Sequence, residues 1–276
     1  MWTNELFKVE KPIIALLHLD ALPGDPGFCG SMDTVLEHAR QDMLALQSGG
    51  VDGILFANEF SLPYQPVADI AVISAMAYII GSLKPLLHIP FGVNVVKNPI
   101  ATIDLGAATG ARFGRSCFSG AYMGEYGIYT SNSGEAIRHR KALGATDMKL
   151  LFKVNPEADV YLVQRDIQVV AKSIMFGGFA DGLCVSGSAA GSEPDDKILA
   201  DVHEVAGPRG VPVFCNTGCT RENVREKLQH CDGVCVGTAF KKDGAFNGRV
   251  DVERVRDFMA AVKEIRAEAG PQAEEK

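Results

Sequence analysis

Val51-Asp52-Gly53-Ile54-Leu55-Phe56-Ala57-Asn58-Glu59 passes through an Asp-Gly pair into an unbroken apolar run and ends on two polar side chains. The same start recurs as Ala180-Asp181-Gly182-Leu183-Cys184 and as Cys231-Asp232-Gly233-Val234-Cys235. A strand-length run without polar alternation marks a strand covered on both faces, as in a parallel sheet. Each glycine is read as the tight turn from a helix into the next strand, and the recurrence as a weak internal repeat.

Working outward, similar runs begin near Ile13, Phe91, Arg112, Met148 and Val211, giving eight strands with the three above. Segments of helical period lie between them, near 32–48, 67–81, 99–109, 133–143, 163–177, 195–206, 221–229 and 251–267. Eight strand–helix units in a chain of 276 residues is the count of a single (β/α)8 TIM barrel, an α/β fold. An open doubly wound sheet has fewer strands and a Gly-rich turn after the first, where this chain has His18-Leu19-Asp20. The barrel is expected to span 1–266, with 267–276 a polar, frayed tail.

Composition narrows the function classes. Lys and Arg number 27 against 34 Asp and Glu, so the net charge of −7 lacks the basic footprint of a nucleic-acid binder. No segment reaches the ~20 apolar residues of a membrane span. The seven cysteines are odd in number and mostly sit in apolar runs, which reads as a reduced, cytoplasmic chain. Cys215/Cys219 and Cys231/Cys235 are two Cys-x-x-x-Cys pairs, but there is no Cys-x-x-Cys knuckle to favour zinc.

In such barrels chemistry sits at the C-terminal ends of the strands. That rule selects His18, Asn58, Glu59, Asn94, Arg115, Lys153, Ser186, Asn216, Gly237 and Thr238, and assigns His88 to the opposite face. The clearest motif is a split phosphate seat made of Asn216-Thr217-Gly218-Cys219-Thr220 after the seventh strand and Gly237-Thr238-Ala239 after the eighth. Gly218 as a plain turn and Thr220 as a helix cap is the alternative. Ser186 and Gly187 would add N–H donors, and Lys241 or Lys242 charge. Glu59 and Lys153 are the candidates for proton transfer, or else an ion pair holding the rim. Lys153 also suits an imine. His18 would serve as acid, base or electrophile, Asn94 and Asn216 as holders of hydroxyls or an oxyanion, and Arg115 as partner of a ligand anion or a rim carboxylate. No cofactor is called for. A divalent metal would need His18 and Glu59 completed by Asp20, Asp25 or Glu125. Two long loops, 19–31 and 117–132, would cover the mouth. The second carries Phe118, Tyr122, Tyr126 and Tyr129, suited to a sugar or to a subunit interface.

Several stretches together resemble the BtpA/SgcQ family, and its SgcQ-like branch in particular. They are His18-Leu19-x-Ala21-Leu22-Pro23-Gly24, Gly49-Gly50-Val51-Asp52-Gly53, Asn58-Glu59-Phe60-Ser61-Leu62-Pro63-Tyr64, Phe91-Gly92-Val93-Asn94-Val95, Val185-Ser186-Gly187, Asn216-Thr217-Gly218 with Glu222-Asn223, and Val236-Gly237-Thr238 with Lys241-Lys242-Asp243-Gly244. The resemblance spans about residues 12–260. It implies a barrel of the ribulose-phosphate-binding type, a setting of sugar-phosphotransferase operons, and a link through the family's name to photosystem I biogenesis. Many members read Val-Lys-His where this chain has Phe152-Lys153-Val154, so a scheme through that histidine does not transfer. The fourth loop, which often carries an Asp before its Gly, here reads Glu125-Tyr126-Gly127.

The expectation is a cytoplasmic enzyme whose partner is a small phosphorylated sugar or related metabolite, with no nucleic acid and no membrane span. It would isomerise or epimerise by removing a proton next to a carbonyl, or cleave in aldol fashion if Lys153 forms an imine. The rival is a non-enzymatic assembly or regulatory factor that keeps the phosphate pocket. Barrels of this kind often associate, so a homo-oligomer is expected.

Overall fold

Every residue of Ile13–His18 is buried, and the side chains divide by parity. Ile13, Ala15 and Leu17 face the helices, while Ile14 and Leu16 face the barrel axis. The next inward position is His18. This two-residue period, continued past each strand's last apolar residue, is what delivers polar side chains to the mouth.

The computed structural model describes residues 1–157, 159–189 and 191–269. In chain order its elements are α1 (Trp2–Phe7), β1 (Ile13–His18), α2 (Met32–Gly49), β2 (Gly53–Ala57), α3 (Ile70–Leu83), β3 (Phe91–Asn94), α4 (Pro99–Thr109) and β4 (Phe113–Ser116). There follow β5 (Gly120–Gly124), β6 (Gly127–Ser131), α5 (Ser133–Ala142), β7 (Lys149–Asn155), β8 (Asp159–Tyr161), α6 (Ile167–Gly178) and β9 (Gly182–Val185). Last come α7 (Asp196–Ala206), β10 (Val213–Cys215), α8 (Val224–Lys227), β11 (Gly233–Val236) and α9 (Val252–Ala269). Strands β1, β2, β3, β4, β7, β9, β10 and β11 pair in parallel and close back on β1. This is the expected TIM barrel.

The Asp-Gly starts do a different job from the expected turn. Gly53, Gly182 and Gly233 make room: an added Cβ would stand 2.7 Å from the Phe7 ring, 2.7 Å from Leu151 and 2.8 Å from the Phe214 ring. The aspartates cap neighbouring strands. Asp52, Asp181 and Asp232 accept the backbone N–H of Ile13 (2.7 Å), Leu150 (3.0 Å) and Val213 (2.9 Å). They also face Arg266, Arg140 and His203. A strand's first N–H would otherwise lie buried without a partner.

Four features depart from the sequence reading. Helix α1 was not expected; it plugs the barrel bottom, with Phe7 against Phe113 (5.7 Å between rings) and Trp2 donating to the Asp181 carbonyl (2.7 Å). The stretch 117–132 is not an open loop. It holds the hairpin β5–β6, and β8 pairs with β5 to complete a three-stranded sheet. Helix α8 is a single turn. Helix α9 continues to Ala269, past the expected boundary at 266, and the remaining tail, 270–276, lies outside the described residues, as does Ala190 of the Ser186–Gly191 loop. No helix among the described residues is long and apolar enough to cross a membrane.

Candidate active site

Inward parity carries His18, Asn94, Arg115, Lys153 and Asn216 to the top of the barrel, each one step beyond an apolar inward residue or a glycine. Arg115 is 3% exposed and acts as a strut. Its Nη1 donates to Asn216 Oδ1 (2.8 Å) and its Nη2 to Asn94 Oδ1 (3.0 Å). Asn216 in turn donates to Ser186 Oγ (2.8 Å) and to Glu157 Oε1 (3.1 Å). Lys153 closes the chain on Glu157 at 2.9 Å. Neither of the alternative ion pairs forms: Lys153 pairs with Glu157 and not Glu59, and Arg115 bonds two amides and no rim carboxylate among the described residues.

Two cavities open from this network. The larger, about 280 Å³, is lined by His18, Glu59, Arg115 and Glu157 below and by Thr217–Glu222, Gly237–Ala239, Phe246 and Arg254 above. The smaller, about 100 Å³, lies under the β5–β6 hairpin against Asn94, Ser116, Lys153, Tyr64 and Tyr126. Glu59 and Glu157 line both.

The two carboxylates are driven apart. Burial raises the pKa of Glu59 above the usual carboxylate value, and repulsion from Glu157 adds to the rise. Burial also opposes ionisation of Glu157, but Lys153 and Arg115 outweigh it and hold that pKa low. Lys153 mirrors this: burial disfavours its charge, and Glu157 more than restores it, so its pKa is raised. His18 is kept neutral by burial and by the cations Lys241 and Arg115. Its Nδ1 has no partner among the described residues, and its ring packs on Phe60 and Phe246. Lys241 is buried over the same two rings, and burial brings its pKa down to about 8. Lys242 is exposed.

At the wall of the larger cavity the N–H groups of Gly218, Cys219, Thr238 and Ala239 have no acceptor among the described residues. The Cys219 side chain itself is buried. Arg221 and Arg254, which the sequence reading did not single out, stand beside them, with Arg221 paired to Asp257 at 2.9 Å. Ser186 and Gly187 do not join this wall. The Ser186 N–H donates to Asn155 Oδ1 (3.0 Å) and the Gly187 N–H to Thr217 Oγ1 (3.5 Å), so neither is free for a ligand. Thr217 Oγ1 donates to the Ser192 carbonyl (3.0 Å), and Asn216 braces the floor from behind.

Gly218 is a turn and also a contact. Its φ is +68°, and an added Cβ would fall 2.1 Å from the Glu193 backbone nitrogen. Gly218→Ala is therefore expected to cost about 1–3 kcal/mol, read from the midpoint of urea unfolding. An unchanged midpoint would mean the Ser192–Glu193 loop moves aside freely.

The residues named for a divalent metal do not assemble. Asp20 binds His38 (2.6 Å) and Arg249 (2.5 Å), and Asp25 accepts from Leu22 N (2.6 Å) and Ser61 Oγ (2.7 Å). Among the described residues no three His, Cys, Asp or Glu side chains form a metal-binding group, the cysteine pairs included. The hairpin aromatics also divide. Phe118 packs in the main core on Phe152 (4.9 Å), while Tyr122 and Tyr129 stack on each other (5.1 Å) inside the small sheet. Tyr126 and Tyr129 both line the smaller cavity, and Tyr126 stands edge-on to Tyr64 at 5.4 Å.

Three comparisons place the chain among known proteins. A model of the BtpA family matches residues 9–264. The putative sgc region protein SgcQ of Escherichia coli is 48% identical over 267 residues, 96% of this chain and 99% of that protein. The photosystem I biogenesis protein BtpA of Synechocystis is 32% identical over 263 residues, 94% of this chain and 91% of that one. Among solved structures, phosphoribosyl anthranilate isomerase from Thermus thermophilus superposes with a TM-score of 0.56 at 13% identity, covering 92% of this chain and all of the other (100%). That likeness concerns the fold alone. By the family match and by both relatives, the chain belongs to the BtpA family.

Proposed function

We propose that the protein is an enzyme that moves a proton next to the carbonyl of a small phosphorylated metabolite, isomerising or epimerising it. One observation carries the reading: two half-buried carboxylates face one cavity with their pKa values pushed in opposite directions. Such a split is the usual device for assigning one group to proton transfer and the other to fixed charge.

In this scheme the phosphate rests on the N–H groups of Gly218, Cys219, Thr238 and Ala239, with Arg254 and Arg221 adding charge. Glu59 takes the proton from carbon and returns it to the same or the adjacent carbon. The oxygen that becomes negative receives hydrogen bonds from Lys153, held charged by Glu157, and from neutral His18. Arg115 positions Asn94 and Asn216. The Lys153–Glu157 pair supports proton transfer over imine formation, since an imine needs the uncharged amine.

The test is exchange with solvent. Pentose and hexose phosphates incubated with the protein in D2O are expected to gain deuterium next to the carbonyl, seen by NMR. Borohydride added under the same conditions is expected to leave no adduct on Lys153. No exchange in any phosphate would sink the proposal, and an adduct would replace it with cleavage through an imine.

A second reading is an assembly or regulatory factor that keeps the pocket. It is favoured by exposed apolar side chains around α6: Val163 before it (70%), Phe176 on it (89%) and Phe179 just after it (68%). Under it, the biological role survives loss of the Glu59 carboxylate.

A further inference from the structure

The smaller cavity constrains what the far end of the ligand is, and this rests on the phosphate seat proposed above. Its cations are already matched. Lys97 is bound by both oxygens of Asp159 (2.9 and 2.8 Å), with side chains only 10% and 3% exposed. The Lys97 ammonium also lies over the Tyr126 and Tyr129 rings at 4.7 and 4.6 Å. Lys153 is matched by Glu157. Arg115 lines the other cavity: its two Nη atoms each hold an asparagine, and its Nε has no partner among the described residues. What remains facing the smaller space is the Glu59 carboxyl and a set of neutral polar groups. A second phosphate or a carboxylate there would meet no spare cation among the residues that line this cavity and would be repelled by Glu59 and Glu157.

The neutral groups are those that hold hydroxyls. Ser116 is 2% exposed, its Oγ has no partner among the described residues, and it lines this cavity. A buried hydroxyl left unbonded is uncommon and points to a group that is absent. Tyr64 and Tyr126 also line the cavity, and the Asn94 amide N–H₂ has no acceptor among the described residues, since Arg115 occupies only its oxygen. Together they offer donors, acceptors and aromatic edges without net positive charge.

We propose that the ligand is a monophosphate whose other end is an uncharged, hydroxylated chain or ring seated beneath the β5–β6 hairpin, with Ser116 and Tyr126 holding its hydroxyls. Bisphosphates and phosphorylated sugar acids are excluded by the same wall.

Calorimetric titration of the intact chain tests this with inorganic phosphate, a panel of pentose and hexose monophosphates, and the bisphosphates that carry a second phosphate at the far end. At least one monophosphate is expected to bind about tenfold or more tightly than inorganic phosphate, and its bisphosphate about tenfold more weakly than itself. Ser116→Ala is expected to weaken that monophosphate by about three- to tenfold and leave inorganic phosphate unchanged, with no loss in unfolding midpoint. Tyr126→Phe, which keeps the ring against Tyr64 and Lys97, should repeat the pattern. A bisphosphate that binds equally well, or variants with wild-type monophosphate affinity, overturns the inference. So do monophosphates no tighter than inorganic phosphate when phosphate itself binds. Failure of inorganic phosphate and every ester to bind overturns the phosphate seat as well, which separates the two failures.

Discussion

Glu59→Gln lowers the rate of carbon–hydrogen exchange by about 10³–10⁴-fold and leaves the protein as stable as before, or more so, above neutral pH. The catalytic loss follows from removing the proton acceptor while keeping side-chain shape and the Tyr64 contact, in which the tyrosine hydroxyl donates to Glu59 Oε1 (3.2 Å). The stability change has a sign fixed by the raised pKa. A carboxyl whose folded-state pKa exceeds its unfolded value of 4.5 binds its proton more tightly when folded. Its ionisation therefore costs stability, starting as pH rises through the unfolded value and complete once pH passes the folded one. Glutamine never ionises, so the variant gains on the wild type across that window. The wild-type pH–rate profile should rise with an apparent pKa above the usual carboxylate range. Exchange measured by NMR and urea unfolding at several pH values check both arms. Wild-type exchange in Glu59→Gln would remove Glu59 as the base and move weight to the assembly reading.

The barrel was legible because burial on both faces leaves continuous apolar runs, and the mouth was legible because inward parity simply continues past them. Ile14 and Leu16 point to His18, Phe113 to Arg115, Leu151 to Lys153 and Phe214 to Asn216. Glu157 was not legible for a geometric reason. Four residues along an extended strand put side chains ~13 Å apart, so Lys153 and Glu157 do not read as a pair. The register irregularity between Lys153 and Asn155, followed by the bend at Glu157, brings the carboxylate back. The hairpin has its own local signal, Gly124 and Gly127 flanking the two-residue turn Glu125-Tyr126, but the polar, glycine-rich stretch around it hides the pattern. The Asp-Gly glycines read as turns although they serve close packing, since a space requirement and a turn select the same residue. Ser186 and Gly187 looked like phosphate donors because sequence shows which amides exist and not which are already bonded.

Lys153→Met is expected to destabilise the protein by about 3–5 kcal/mol, and Lys153→Met with Glu157→Met to recover to within about 1 kcal/mol of wild type. Both members of the pair are largely buried, with side chains 13% and 16% exposed. Removing the ammonium alone leaves a desolvated carboxylate supported by the Asn216 amide (3.1 Å) and the more distant Arg115 charge. Removing both leaves an apolar contact and one amide proton short of an acceptor, and that amide still donates to Ser186 Oγ (2.8 Å). The pH dependence separates this from a packing effect. In the wild type Glu157 has a lowered pKa, so it stabilises above its unfolded value of 4.5 and loses that contribution as pH falls through the folded one. Without Lys153 burial dominates and the sign reverses, so the single variant's deficit should shrink as pH falls towards 5. Urea midpoints for the wild type, both singles and the double at pH 5 and pH 7.5 form the cycle. All variants lacking Lys153 should also lose about 10²-fold or more in exchange rate, because one donor to the developing oxyanion is gone. A deficit that is constant with pH, or a double variant as unstable as the single, would mean that Lys153 contributes through its aliphatic stem. In that case Glu157 is not the fixed charge against which Glu59 titrates.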